Sequence, residues 1–273
     1  MHILVVGGGM GGTILANNLA RRLSGELEQG SSKITMLSAS DKHMYQPGLL
    51  YVAVGKMSTS ELYRDQKSLL EPSIDFHVDP VEKFDLDNNS VTTKSGKKIS
   101  YDIICIATGS RGNAAGIPGL AENACQFYTE ADALAMYKKL QKFEGGKVVV
   151  ATGVPHKCPM SPLEITFFLI DYFKKRGIWD KVDLHYTYPI GRVHSLEPVA
   201  KWAAPEFDKE GVTYETLFNM KEVVPGKVIS EEDSSAEFDL LVTVPPHKGM
   251  QVIEDNELGK GGFIPTDKKK LNM

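Results

Sequence analysis

The glycines within the first dozen residues constrain this chain more than any other feature. His2-Ile3-Leu4-Val5-Val6 is a short apolar run of the kind that forms a buried strand. It leads straight into Gly7-Gly8-Gly9-Met10-Gly11-Gly12, then into Thr13 to Leu23, whose apolar residues recur at helical spacing. Strand, tight turn and helix put Gly7, Gly9 and Gly12 in G-x-G-x-x-G register. The first glycine permits the turn. The second lets a pyrophosphate approach the backbone, and the third lets the helix pack closely on the strand. The free N–H groups and positive dipole end of the helix then suit a diphosphate. This unit is expected to bind a dinucleotide.

With 273 residues, 42% of them hydrophobic, the chain can build one large or two medium cores. Its net charge of -4 supplies no basic surface for nucleic acid. Cys105, Cys125 and Cys158 are odd in number and widely spaced, unlike a secreted disulfide framework. No apolar run is long enough to span a membrane. A strand that begins at residue 2 leaves no room for a signal peptide. The expectation is an intracellular protein, cytoplasmic or peripheral to a membrane, with no metal site.

Lys33 to Ser38 reads as the second strand. Its C-terminal end is where this fold meets an adenosine ribose, usually through an acid. Here Ser38, Ala39 and Ser40 stand there, which weakens the case for NAD and leaves FAD. Residues 43–57 are too apolar for a surface loop and are expected to lie over a cofactor or against a second domain. Ser60 to Leu70 is expected to be a short helix. Strands follow at Ile74–Val78, Val81–Leu86 and Ser90–Thr93. Another, at Tyr101–Ser110, ends in Ala107-Thr108-Gly109 and holds Cys105 as an inert core thiol.

A second strand–turn–helix unit begins near residue 147. Thr129 to Phe143 reads as a helix capped by Thr129, Lys147–Thr152 as a strand, Pro162–Arg176 as a helix and Val182–Thr187 as a strand. After Gly153 its turn has no further glycine, and Pro155, Pro159 and Pro162 lack the N–H groups that would cradle phosphate. The turn carries Cys158 instead, where a helix N-terminus favours a thiolate and His156 and Lys157 add positive character. Cys125 has no activating neighbour in sequence. Beyond residue 194, Trp202–Gly211 reads as loop or short helix. Strands are expected at Val212–Phe218, within Lys221–Ile229, at Phe238–Pro246 and from Phe263. The architecture is therefore α/β, with two Rossmann-like domains: residues 1–111 plus 251–273, and residues 112–250.

The glycine fingerprint, Ala107-Thr108-Gly109, the second unit and Asp239 to Pro246 together resemble the glutathione-reductase-type flavoproteins. Within these the chain is similar to the sulfide:quinone oxidoreductases. Cys158-Pro159-Met160-Ser161-Pro162-Leu163-Glu164 carries that likeness most strongly, with Ser38, Cys125 and Val244-Pro245-Pro246-His247-Lys248-Gly249. The resemblance implies an FAD enzyme that oxidises sulfide to sulfur or polysulfide and passes electrons to a membrane quinone. It implies a redox role for Cys158 beside the flavin, a further cysteine at Cys125, and proton-handling roles for Glu164 and His194. It places FAD at Gly7, Gly9, Met10, Gly12, Ser38, Ala39, Ser40, Val81, Ala107, Thr108 and Gly109. It also admits a homo-oligomer.

Measured against that family, a third redox cysteine after Cys158, a later Gly-Asp motif and the C-terminal membrane-binding region are missing. The expectation is a truncated chain lacking the C-terminal part of the fold, which holds FAD weakly and does not turn over. The competing readings are a type II NADH:quinone oxidoreductase, a flavocytochrome c sulfide dehydrogenase-like flavoprotein, and a non-catalytic nucleotide-binding module.

Overall fold

Two all-parallel sheets organise the chain, each in its own unit. The computed structural model describes residues 1–267, 269 and 270. Residues 268 and 271–273, the end of the expected first domain and most of its polar tail, lie outside the described residues. One unit comprises Met1–Tyr45, Ser60–Arg111 and the chain from Lys248. The other comprises Gln46–Thr59 and Gly112–His247.

In the first unit, β1 (His2–Val6), α1 (Met10–Arg22), β2 (Lys33–Ser38), β3 (Ile74–Val78) and β4 (Ile103–Ile106) form a sheet of order β3-β2-β1-β4. Every pairing in it is parallel. Such a sheet must be covered on both faces, and β1 shows how its sequence meets that need. Ile3 and Val5 pack with Ala16 and Ala20 of α1, and with Ile34, Met36 and Ile74. Leu4 and Val6 point the other way, into Leu37, Val81, Val91, Ile99 and Tyr101. The second cluster draws on an antiparallel meander of Val81–Asp85, Ser90–Thr93 and Lys98–Ser100.

The expected helix at 60–70 does not form. Thr59–Leu62 and Lys67–Leu69 are single 3₁₀ turns, and Tyr63–Asp65 between them pairs antiparallel with Lys42–Met44. Cross-strand pairing overrides local propensity there. The expected strand from Phe263 is also absent; only an isolated bridge joins Lys260 to Phe263.

The second unit contains β5 (Ala124–Cys125), α2 (Glu130–Lys142), β6 (Gly146–Thr152), α3 (Ser161–Lys175), β7 (Val182–Tyr188), α4 (Glu197–Glu210), β8 (Thr213–Thr216) and β9 (Leu240–Val244). Its sheet order is β5-β9-β6-β7-β8, again wholly parallel. Thr129 caps α2, its side chain accepting from the Asp132 N–H. Val149 and Ala151 of β6 pack with Leu120, Phe218, Val228 and Leu241. The opposite side is served by α3, which buries Leu163, Ile165, Leu169, Ile170 and Phe173. The stretch expected as loop or short helix around Trp202 is the long helix α4, which continues through Pro205. Burial of Ala200, Ala203 and Phe207 on one face offsets the proline's lost hydrogen bond.

The apolar segment near residue 50 forms the helix Gly48–Ala53, which buries Leu49, Leu50, Val52 and Ala53. Tyr51 lies 4.9 Å from the Phe168 ring of α3, and Lys56 pairs with Asp171 at 2.7 Å. These contacts put residues 46–59 with the second unit rather than with the flanking residues 1–111.

Candidate functional site

In each sheet the glycine- or cysteine-bearing turn leaves the strand at which the order reverses. In the first unit β1 lies between β2 and β4; in the second β6 lies between β7 and β9. Open α/β sheets bind ligands outside the carboxyl ends of their strands at such a reversal.

The turn after β1 is built to expose backbone. Gly7 has φ +118°, and a Cβ there would overlap the Ala107 carbonyl oxygen. A Cβ on Gly12 would overlap the Gly7 carbonyl oxygen. Gly9 is different: a Cβ there would meet nothing within 4 Å, and the same holds at Gly11. Gly9 begins α1, its carbonyl accepting the Thr13 N–H at 3.0 Å, with no side-chain cap and no acid in the first turn. The helix therefore presents uncapped N–H groups and an unneutralised dipole end beside open space. These features fit the diphosphate of a dinucleotide.

The other residues expected at the cofactor fall into two groups. Ala107 is tied to β1 by its N–H, which donates to the Val6 carbonyl at 2.8 Å. It meets Gly7, and Gly109 follows at φ +79°. Ser38 is buried at the end of β2, where its Oγ accepts the Ser40 N–H at 3.2 Å and sits where a Gly8 side chain would go. Ala39, Ser40 and Met10 are exposed. Val81 is buried in the core beside Leu4 and Val6.

The turn after β6 holds Cys158, half-buried and unbridged, just before α3. Its carbonyl accepts the Ser161 hydroxyl at 3.1 Å, and Ser161 Oγ in turn lies 2.6 Å from the Tyr128 hydroxyl. The Ser161 hydrogen is used on Cys158, so Tyr128 is the donor in that second bond. Burial holds the Tyr128 phenol far above its ordinary range. Lys157 sits with its Nζ 5.5 Å above the Tyr128 ring. Burial pulls its ammonium down, against a smaller opposing pull from Cys158.

Three imidazoles surround this turn. His156 Nδ1–H donates to the Gly153 carbonyl at 3.0 Å, leaving Nε2 to face the Tyr188 hydroxyl at 3.4 Å. His194 is fully buried; its Nδ1 accepts the Leu196 N–H at 3.0 Å, so its proton is on Nε2. His247 Nδ1–H donates to the Pro245 carbonyl at 2.9 Å, and its ring stands edge-on to Tyr128 with centroids 4.5 Å apart. The buried Nε2 of His247, an acceptor, has no hydrogen-bond partner; the Nε2–H of His194 makes no hydrogen bond of regular geometry but has the Pro159 backbone beside it. Burial lowers the affinity of all three rings for a proton, that of His247 to about 4. The site is therefore lined by neutral imidazoles at neutral pH.

That depression links stability to acid. An unfolded histidine binds its proton near pH 6.5, whereas folded His247 binds near 4. Its contribution is complete above about pH 6.5 and is lost as pH falls towards 4. Urea unfolding midpoints are expected to drop across that window. His247→Asn, which keeps a donor near Nδ1 but cannot ionise, should flatten the drop.

The remaining expected site residues are less closely joined. Cys125 is buried on β5, where burial pushes its thiol up and Lys139 acts against it. Glu164 is exposed in the first turn of α3. Cys105 is half-buried on β4, its thiol also pushed up by burial. Tyr128, Ser161 and His247 join the Cys158 turn although local sequence singled out none of them as a site residue; their contact spans 33 residues between Tyr128 and Ser161 alone. Among the described residues no cluster of histidine, cysteine and acids could hold a metal, and no helix is long and apolar enough to cross a membrane.

The chain is similar to known proteins in both sequence and fold. The mitochondrial sulfide:quinone oxidoreductase of Mus musculus is 26% identical over 285 residues, covering 99% of this chain and 62% of its own length. The sulfide-quinone reductase of Aquifex aeolicus (strain VF5) is 29% identical, covering 92% and 60%. The crystal structure of the sulfide:quinone oxidoreductase from Aquifex aeolicus superposes with a TM-score of 0.80 at 26% identity, over 93% of this chain and 60% of that one. The chain thus spans about three fifths of the relatives it matches. Residues 1–269 match the pyridine nucleotide-disulphide oxidoreductase family. With two parallel dinucleotide-type sheets and an open glycine turn fitted to a diphosphate, the chain belongs to that family of FAD-binding flavoproteins.

Proposed function

We propose that the chain carries the flavin- and thiol-bearing part of an FAD-dependent sulfide:quinone oxidoreductase. The observation that carries this reading is Cys158 in the turn after β6, at a sheet reversal where a dinucleotide-binding unit would carry glycines. Pro155, Pro159 and Pro162 leave that turn short of N–H donors, which argues against a nicotinamide cofactor there. Two residues of turn separate Cys158 from the start of the 15-residue helix α3.

Cys158 takes up the sulfur. Its thiolate and hydrosulfide combine to a persulfide anion, releasing one proton and two electrons. Bound FAD would supply the two-electron acceptor and the route to a quinone. Gly7, Gly9 and Gly12, with the start of α1, would hold its diphosphate. Tyr128 and Ser161 fix the Cys158 backbone. Lys157 provides the positive charge nearest in sequence to the anionic sulfur, and Glu164 and the His156 Nε2 are the groups proposed to take the released proton; His194, its Nδ1 occupied by the Leu196 N–H, and His247, its proton affinity lowered to about 4, are not.

The test is an anaerobic visible spectrum of the protein at its natural length. Sulfide is expected to bleach the flavin, and a short-chain quinone to restore it. Bleaching by NADH without a response to sulfide would move the protein to the NADH:quinone oxidoreductases, and a colourless protein would leave only the fold.

A further inference from the structure

A buried amide beneath the glycine turn has no part in the chemistry above. Gln66 is wholly buried, although it lies between the exposed end of the strand Tyr63–Asp65 and the exposed 3₁₀ turn Lys67–Leu69. Its main-chain N–H donates to the Asp41 carbonyl at 2.7 Å, which fixes where the side chain starts. The side chain reaches two residues under the turn. Its Nε2 is 2.9 Å from Thr13 Oγ1, and its Oε1 is 3.0 Å from His43 Nδ1. Both neighbours continue to one atom, the Gly8 carbonyl oxygen: His43 Nδ1 at 3.2 Å and Thr13 Oγ1 at 3.3 Å.

Every direction in this network is forced. A carbonyl only accepts, so His43 Nδ1 carries its hydrogen. The Gln66 atom facing that nitrogen is then the oxygen, and the amide NH₂ faces Thr13. Having accepted from Gln66, the Thr13 hydroxyl gives its own hydrogen to Gly8. Two donors thus hold one carbonyl, Thr13 with its whole hydrogen and His43 with one shared between the Gly8 carbonyl and Gln66 Oε1. The Gly8–Gly9 peptide is trans and planar, so its C=O and N–H point in opposite senses. With the Gly8 carbonyl held by the network, the Gly9 N–H points away from it, and an added Cβ at Gly9 would meet nothing within 4 Å.

We infer that Gln66, through Thr13 and His43, is a positioning residue that orients the Gly9 N–H towards the FAD diphosphate. Glycine allows a peptide here to flip at little steric cost, so the freedom that admits the ligand also needs something to remove it. The clamp supplies that order before the ligand arrives, which lowers the conformational cost of binding. The inference rests on FAD occupying the first unit.

The test titrates the deflavinated protein with FAD, following the quenching of flavin fluorescence. Thr13→Val removes the hydroxyl at nearly constant shape, and Gln66→Met removes the amide. Each is expected to raise the FAD Kd about tenfold, as for loss of one ordered hydrogen bond. Thr13→Ser, which keeps the hydroxyl, should stay within about twofold. A second readout separates orientation from general loosening. In the wild type, adding ADP should shift the Gly9 amide resonance; in folded Thr13→Val that shift should be largely lost. If wild-type protein binds FAD and Thr13→Val binds it equally, the clamp is wrong and the cofactor reading stands. If the wild type binds no FAD, both are overturned.

Discussion

Cys158→Ser is expected to slow sulfide-driven flavin reduction by at least about a thousandfold, the scale on which removing a nucleophile acts. A serine hydroxyl is barely ionised at neutral pH and cannot form a persulfide. The fold gives no reason for the variant to misfold. Cys158 is half-buried, and the bond that holds its turn runs from Ser161 to its main-chain carbonyl, not to its thiol. Stability is expected to stay within about 0.5 kcal/mol of the wild type. Anaerobic stopped-flow at the flavin absorption band measures the rate, and urea unfolding measures the stability. Reduction that persists at the wild-type rate would sink the assignment of Cys158. Cys125→Ser is the companion variant. Its buried strand position predicts a stability loss of about 1 kcal/mol from the added hydroxyl. If the two thiols work as a pair, both variants lose sulfide reduction. If Cys158 works alone, only its own variant does.

The other large effect concerns the first turn. Gly12→Ala would drive a methyl group into the Gly7 carbonyl oxygen, and Gly7→Ala into that of Ala107. Both obstacles are main chain, which cannot swing aside as a flexible side chain can. Gly7→Ala also carries the strain of φ +118°. Each variant is expected to lose roughly 4 kcal/mol or more, enough to prevent accumulation of folded protein in many hosts. Gly9→Ala makes the contrast, since its methyl group meets no protein atom and its φ of -75° suits alanine. It should fold normally, with an unchanged melting curve, yet bind FAD much more weakly, because the methyl group occupies the ligand's approach. Circular dichroism melts of the three variants, with FAD titration of those that fold, separate the roles. Equal effects at all three glycines would contradict the geometry.

The parts of this site that were legible in sequence are those made by short spacing. A strand, a glycine turn and a helix follow one another within about twenty residues, and a strand, Cys158 and a helix within about thirty. What was hidden depends on distance along the chain. Gln66 lies in a stretch whose composition suits a helix, and only pairing between Lys42–Met44 and Tyr63–Asp65 breaks it. Tyr128 reads as an aromatic before a helix cap; nothing local says that its hydroxyl meets Ser161. The helix around Trp202 was obscured by Pro205, a residue that sequence rules place outside helices but that one well-buried face tolerates. Ser38 stands at the end of β2 as expected; its Oγ accepts the Ser40 N–H, a bond that leaves its own hydrogen to donate.

The helix Gly48–Ala53 has a consequence for how this chain is made. It clusters with residues that follow Gly112, although the chain on either side of it belongs to the first unit. The polypeptide therefore passes from one unit to the other four times, after residues 45, 59, 111 and 247. Neither unit is contiguous: the stretch 46–247 that holds the whole second unit also carries residues 60–111 of the first, so trimming the ends cannot isolate either unit alone. During synthesis, Leu49, Leu50 and Val52 leave the ribosome well ahead of α2, the helix theirs chiefly lies beside, and further ahead still of Phe168, against which the neighbouring Tyr51 packs. At about 5–20 residues per second, that apolar face waits several seconds for its cover. Nascent chains stalled between residues 60 and 160 are expected to be the species that chaperones bind and proteases cut.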